Sequence, residues 1–304
     1  MSREQPLDIA ASIRQKLYNK AKETNRPFHE VLQYFCMERF LYRLSRSAYK
    51  DRFIVKGALM LSTWFTVESR PTMDIDFLGS IDNSVGGIEE VVREICRQEV
   101  EPDGVVFDVS TIKGERIKED ADYEGVRTRL AAFLGNARVV IQIDIGFGDI
   151  IVPGPVEMEY PVILNLPKPH LKGYTRESAI AEKFQAMVVL GIVNSRMKDF
   201  FDIWLLSRQF DFDGKTLADA IKKTFEHRGT AIQDEPVAMT GAFGMDSGKQ
   251  AQWLAFIRKG RFENVPHDLG EVVSRIASFL LPVARALLTD GVFDKKWQAP
   301  GSWA

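Results

Sequence analysis

With 304 residues, 45% hydrophobic and 27% charged, the chain can bury one large or two modest cores, and no run approaches the ~20 apolar residues of a membrane span. Two cysteines, Cys36 and Cys96, exclude a disulfide framework or cysteine-rich zinc site, and the four histidines (His29, His170, His227, His267) lack metal-ligand spacing. The formal net charge is −2, yet residues 1–60 carry twelve Lys/Arg against six Asp/Glu.

In chain order, the polar residues 1–5 do not read as a signal peptide, so a reducing cytoplasm is the expected setting and the cysteines read as buried thiols. Two amphipathic helices follow at 7–24 and 28–45, separated by Asn25-Arg26-Pro27. The second carries an apolar stripe of Val31, Phe35, Phe40, Leu41 and Leu44. The basic surplus falls in two clusters: Arg14, Lys16, Lys20, Lys22 and Arg26, then Arg39, Arg43, Arg46, Lys50, Arg52 and Lys56. Such an arm suits a phosphate backbone, and equally suits two solvated helix faces.

Residues 53–57 predict a strand, 58–66 a helix, and 70–78 a strand rich in acid. A helix over 88–100 and strands over 105–112, 123–134 and 137–147 follow. Elements alternate to about residue 165, which predicts an α+β fold: a mixed sheet with flanking helices. Pro153, Pro155, Pro161, Pro167 and Pro169 mark a connector. Beyond it, helices are expected at 176–192, 196–208, 215–226, 249–258 and 268–288, with a loop over 229–248 and a frayed end from Trp297. The expected domains are 1–168 and 169–304, the second helical and completing an active-site cleft.

The stretch Arg70-Pro-Thr-Met-Asp-Ile-Asp-Phe77 carries the most chemistry. Strand alternation points Arg70, Thr72, Asp74 and Asp76 one way and Pro71, Met73, Ile75 and Phe77 into a core. Two carboxylates two residues apart can hold a pair of hard cations that clamp a phosphoryl group. Without metal, their like charges repel. Taken alone, Asp-x-Asp also fits two solvated acids at a strand end. Upstream, Gly57-Ala58 sits where a strand hands over to a helix, a place where backbone can approach phosphate.

Strand, glycine, helix and acidic strand together resemble the nucleotidyltransferase superfamily of the DNA polymerase β type. Ala58 fills the second small position of its Gly-Gly/Ser signature without a hydroxyl, and the spacer of residues 59–73 is long. In that superfamily a third acid arrives from a neighbouring strand, and Asp144 in Ile141-Gln-Ile-Asp-Ile-Gly-Phe147 is the candidate. Asp149 reads instead as a strand terminator. Together, "KGALML", "RPTMDIDF", "IQIDIGFGD", "AEKFQAM" and "NSRMKDFFDIWLL", in order from about Arg39 to about Leu206, resemble the AbiEii/AbiGii toxin family. Its members are nucleotidyltransferase-fold toxins of bacterial toxin–antitoxin and abortive-infection phage-defence systems.

The resemblance implies a polymerase-β-type core and a two-ion Mg²⁺ site on Asp74, Asp76 and Asp144. It implies an NTP substrate held at Gly57, Ala58 and Lys183. Lys56 and Arg70 are further candidates to neutralise phosphate charge, with solvent the equal alternative for Lys56, and Thr72 shares the metal-facing side. For Thr72 the preferred role is to orient an Asp carboxylate. Lys183 lies near an apolar helix stripe, where its ammonium needs a partner; pairing with Glu182 or Glu177 is the plain alternative. Asp199 and Asp202 share a helix face and could form an ion-pair cluster with Arg196 and Lys198. The resemblance makes one of them, Asp199 slightly ahead, the last motif acid. RNA, above all the tRNA 3′ end, is the expected acceptor, and a separately encoded antitoxin the expected partner. Alternatives are nucleotide or phosphate transfer to a protein hydroxyl and a non-catalytic nucleotide-binding module.

Overall fold

The computed structural model describes residues 9–65, 70–119, 123–289 and 291–304. The polar residues 1–5 lie outside the described residues, as does Thr66 at the end of one expected helix. The chain divides into two compact units, one of residues 1–148 and 156–173, the other of residues 149–155 and 174–304.

The first unit is built on a seven-stranded mixed sheet. Helices α1 (Ile9–Glu23) and α2 (Phe28–Arg46) precede β1 (Phe53–Lys56), α3 (Ala58–Trp64), β2 (Asp74–Gly79) and α4 (Val85–Arg97). Then come β3 (Val105–Glu119), β4 (Tyr123–Leu134), β5 (Ala137–Phe147), β6 (Val156–Glu159) and β7 (His170–Gly173), in sheet order β3-β4-β5-β2-β1-β7-β6. The three consecutive strands expected at 105–112, 123–134 and 137–147 are present as antiparallel neighbours, the first running on to Glu119, and β5 then runs parallel to β2. The proline-marked connector is not all loop: β6 and β7 extend the sheet beyond β1.

Alternation decides which residues reach the core. Ile75 and Phe77 of β2 and Ile141, Ile143 and Ile145 of β5 are buried, as is α2 through Val31, Phe35, Phe40, Leu41 and Leu44. Phe53 and Phe77 pack with ring centroids 5.3 Å apart. The acidic strand starts only at Asp74, so its predicted pattern fails upstream: Pro71 and Met73 are exposed and Thr72 is buried. Helix α2 ties this segment down instead. The Thr72 N–H donates to the Tyr34 hydroxyl at 2.7 Å, and the Gln33 amide donates to the carbonyls of Met73 (3.3 Å) and Val140 (2.8 Å).

The second basic cluster also needs correction. Arg39 is buried against Glu38, and its Nη2 donates to the Pro167 carbonyl at 2.9 Å. Arg43 is buried in a two-pronged pair with Asp103 at 2.8 and 3.1 Å. A buried guanidinium must be paired, so these two arginines hold the fold together and add nothing to surface charge. Arg14, Lys16, Lys22 and Arg26 of the first cluster are exposed. Both thiols are pushed up to about 12 by burial, which keeps them neutral.

The second unit is largely helical: α5 (Arg176–Leu190), α6 (Met197–Gln209), α7 (Gly214–His227), α8 (Gly241–Met245), α9 (Ser247–Gly260) and α10 (Leu269–Leu288). Part of the expected loop at 229–248 is helical: α8 buries Phe243, which stacks on Phe200 with centroids 5.4 Å apart. The carboxy-terminal end is not frayed. Strands β8 (Phe212–Asp213), β9 (Lys296–Gln298) and β10 (Ser302–Trp303) form a small sheet. Within it Trp297 is buried, donates from Nε1 to the Ser207 carbonyl at 2.6 Å, and packs 4.8 Å from Phe279. Among the described residues no helix is long and apolar enough to cross a membrane.

Candidate active site

Pairing register in the first unit brings the three candidate acids together. Asp74 and Asp76 lie on one face of β2, and parallel pairing sets Asp76 opposite Asp144 and Asp74 opposite Gln142. Asp74, Asp76 and Asp144 each offer a carboxylate oxygen, and these oxygens lie within 4.8 Å of one another. On the far side of β2, β1 sets Lys56 opposite Asp76. On the far side of β5, β4 sets Arg127 opposite Asp144. Four adjacent strands thus carry Arg127, Asp144, Asp76 and Lys56 in one row, with opposite charge at both ends.

The acids differ in their surroundings. Asp144 is buried and accepts from Arg127 twice, Nε to Oδ1 at 2.8 Å and Nη2 to Oδ2 at 2.6 Å, and from the Gln142 amide at 3.2 Å. Hydrogen bonding to Asp144 raises the Arg127 guanidinium further, against burial, with the charges of Glu115 and Asp74 adding to it. The Thr72 hydroxyl donates to the Asp74 carboxylate, the contact expected of a group that orients that acid. A cavity of about 210 Å³ opens beside Asp74, lined also by Gln33, Met73, Arg129, Val140 and Gln142.

Gly57, read from sequence as a phosphate cradle, has a second neighbour. Its backbone sits at φ +70, and a Cβ there would fall 1.9 Å from Asp76 Oδ2. Only a residue without a side chain lets the Asp76 carboxylate occupy that place. Gly57→Ala therefore displaces Asp76, with the added strain of a left-handed φ. The expected result is at least a ~10-fold loss of activity and about 1–3 kcal/mol of stability, read by activity assay and thermal melt. Wild-type activity in a folded Gly57→Ala would remove this constraint on the site. Ala58 is buried at the start of α3, and Arg70 lies near enough for its charge to act on the Tyr34 hydroxyl.

Lys183, Asp199 and Asp202 come together in the second unit. The Lys183 ammonium lies 3.0 Å from Asp199 Oδ1 and 2.9 Å from Asp202 Oδ2, a pairing between α5 and α6. Arg196 adds a 2.6 Å contact to Asp199 Oδ2. Both acids are fully buried. Burial alone would raise the Asp199 carboxyl, but Lys183, Arg196 and Lys198 outweigh it and hold it at about 2. Asp149 lies outside the acidic cluster of the first unit. It pairs with Arg228 at 2.8 Å, in contact with Glu182, within the second unit.

Arg127 and Gln142 were missed by sequence reasoning although a signal existed. Gly135-Asn136 is a two-residue hairpin turn signal between β4 and β5. Counting seven residues outward from the Leu134↔Ala137 pair sets 127 opposite 144. Gln142 shares Asp144's face by alternation.

Three comparisons bear on this geometry. The family model described as nucleotidyl transferase AbiEii toxin, type IV TA system, matches residues 39–275. Among solved structures, JHP933 from Helicobacter pylori superposes with a TM-score of 0.50 at 13% identity, covering 86% of this chain and 94% of that one. A second H. pylori structure, provisionally described as a nucleotidyltransferase, gives a TM-score of 0.44 at 12% identity over 86% and 95%. At these identities the first likeness concerns the fold alone, and the second carries no argument. No curated protein matches.

Proposed function

The chain belongs to the AbiEii nucleotidyl transferase toxins of type IV toxin–antitoxin systems, and from that premise we propose that it moves a nucleotidyl group from an NTP to the 3′ end of an RNA, with tRNA as the acceptor class. The observation that carries this reading is the convergence of Asp74, Asp76 and Asp144 from two parallel strands to within 4.8 Å. The donor set is carboxylate oxygen without histidine or cysteine, which suits Mg²⁺ or Mn²⁺ and not a soft metal.

Asp74, Asp76 and Asp144 would hold the cations. Bound there, a cation pair supplies Lewis acidity, easing deprotonation of the attacking hydroxyl and screening charge on the α-phosphate. The chain's own residues do the positioning. Thr72 turns the Asp74 carboxylate, Gly57 leaves room for that of Asp76, and Arg127 with Gln142 fixes that of Asp144. Lys56 and Arg70 are assigned to the nucleotide's phosphates, beside the backbone of Gly57 and Ala58. Lys183 is assigned the same chemistry, its charge held by Asp199 and Asp202. The exposed Arg14, Lys16, Lys22 and Arg26 along and just after α1 supply the charge an RNA backbone requires. A separately encoded antitoxin is the partner assigned to such a toxin.

The test is incubation of purified protein with deproteinised tRNA, Mg²⁺ and each α-labelled NTP in turn. Label should move to RNA, stop on chelation, and weaken as salt rises. Label moving only to protein from a lysate would replace the RNA acceptor with a protein one. No transfer to any acceptor from a folded protein would sink the reading. Without nucleotide, Mg²⁺ at a hundredfold excess over its dissociation constant should add about 2.7 kcal/mol to unfolding stability.

A further inference from the structure

Arg127 stands out because it occupies the acid that a metal site needs. A carboxylate offers about four lone-pair positions. Among the described residues, Asp144 spends two on Arg127 and one on Gln142. The position left is on Oδ1, so Asp144 can meet a cation with a single oxygen while Arg127 stays in place. The guanidinium also brings a permanent positive charge against the triad, with its side chain 29% exposed and not sealed in the core. Planar two-pronged pairing fixes the carboxylate plane, which a lysine cannot do.

We propose that Arg127 is a positioning residue for Asp144 and a built-in counter-charge that weakens divalent-cation binding at Asp74, Asp76 and Asp144. It holds the buried third acid in one orientation when no cation is bound. It leaves that acid one oxygen for a cation, and it offsets part of the negative charge that would otherwise retain the metal. Binding that is too tight would slow exchange of cations with the departing products, so a resident arginine keeps the site reversible.

The inference rests on the metal-site reading of the triad, and its test is independent of the acceptor. Mn²⁺ alone is titrated by calorimetry into wild type, Arg127→Gln, Arg127→Lys and Asp144→Asn, without nucleotide. Arg127→Gln, which keeps donors but loses the charge, should bind Mn²⁺ roughly tenfold more tightly, because a unit charge has left the ion's surroundings. Arg127→Lys, which keeps the charge but frees the carboxylate plane, should bind Mn²⁺ no more tightly than wild type. Asp144→Asn should bind more weakly. Damage to packing alone does not tighten metal binding, so the direction of change separates a counter-charge from a structural role.

Equal or weaker Mn²⁺ binding by Arg127→Gln, beside normal wild-type binding, overturns the role of Arg127 and leaves the triad standing. If Arg127→Gln does not fold, Arg127→Lys decides the matter: binding tightened as though the charge were lost overturns the proposal, and affinity equal to or weaker than wild type supports it. Absence of Mn²⁺ binding by wild type overturns this proposal and the metal reading together.

Discussion

Asp76→Asn is expected to lower nucleotidyl transfer by about 10³-fold or more and to leave the fold intact. Asparagine keeps the shape of the side chain and loses only the charge. That charge sits at the centre of the row, opposite Lys56 on one side and Asp144 on the other. A carboxylate that holds a cation at the reacting phosphate contributes mainly in the transition state, and a loss of 10³ corresponds to about 4 kcal/mol there. The effects on stability oppose each other. Removing one of three carboxylates with oxygens within 4.8 Å relieves repulsion, and removing the charge opposite Lys56 gives up attraction. The melting temperature should therefore move by only a few degrees in either direction, roughly the effect of 1 kcal/mol. Added Mg²⁺ should raise it in wild type and much less in the variant. A folded Asp76→Asn retaining more than a tenth of wild-type activity would remove Asp76 from the reaction.

How far the sequence could lead depended on the distance over which its signals act. The Asp74/Asp76 pair was legible because a period of two is local, and Gly57 because a glycine between strand and helix has few uses. Asp144 was named from the resemblance, which implies a third acid on a neighbouring strand; the alternation around it showed only that it lies on one. Its partner Arg127 required the register of a second strand, which the Gly135-Asn136 turn sets and which was not counted through. The failures were non-local. Counting charges put Arg39 and Arg43 on a basic surface, whereas Asp103, sixty residues beyond Arg43, pairs with it inside the fold. The end from Trp297 was expected to fray; the large apolar area and indole donors of Trp297 and Trp303 instead dock β9 and β10 against α10 and Ser207. Strands β6 and β7 were hidden because each is only four residues long and the prolines at 153, 155, 161, 167 and 169 flank them, so the segment reads as loop.

Asp199→Ala should cost about 3 kcal/mol of stability and change how the protein responds to acid. Removing one partner of a buried pair leaves the other charge stranded, which usually costs about 3–5 kcal/mol. Lys183 keeps Asp202 at 2.9 Å and Arg196 is a third exposed, so the lower end applies. The acid response follows from a carboxyl held at about 2 in the folded chain, against about 3.9 in the unfolded one. A group depressed on folding stabilises the native state above its unfolded pKa, and that stabilisation drains away as pH falls toward the folded value. For Asp199 it is worth a few kcal/mol, full above pH ~5 and lost progressively as pH falls through the folded value of about 2. Denaturant melts of wild type between pH 5 and 2 should therefore show a downward slope that is shallower by this amount in Asp199→Ala. Asp199→Asn keeps the shape but not the charge and should lose the same pH-dependent part with a smaller fixed cost. Parallel pH profiles for wild type and both variants would mean that Lys183 and Arg196 do not stabilise this acid, and the α5–α6 ion cluster would lose its physical basis.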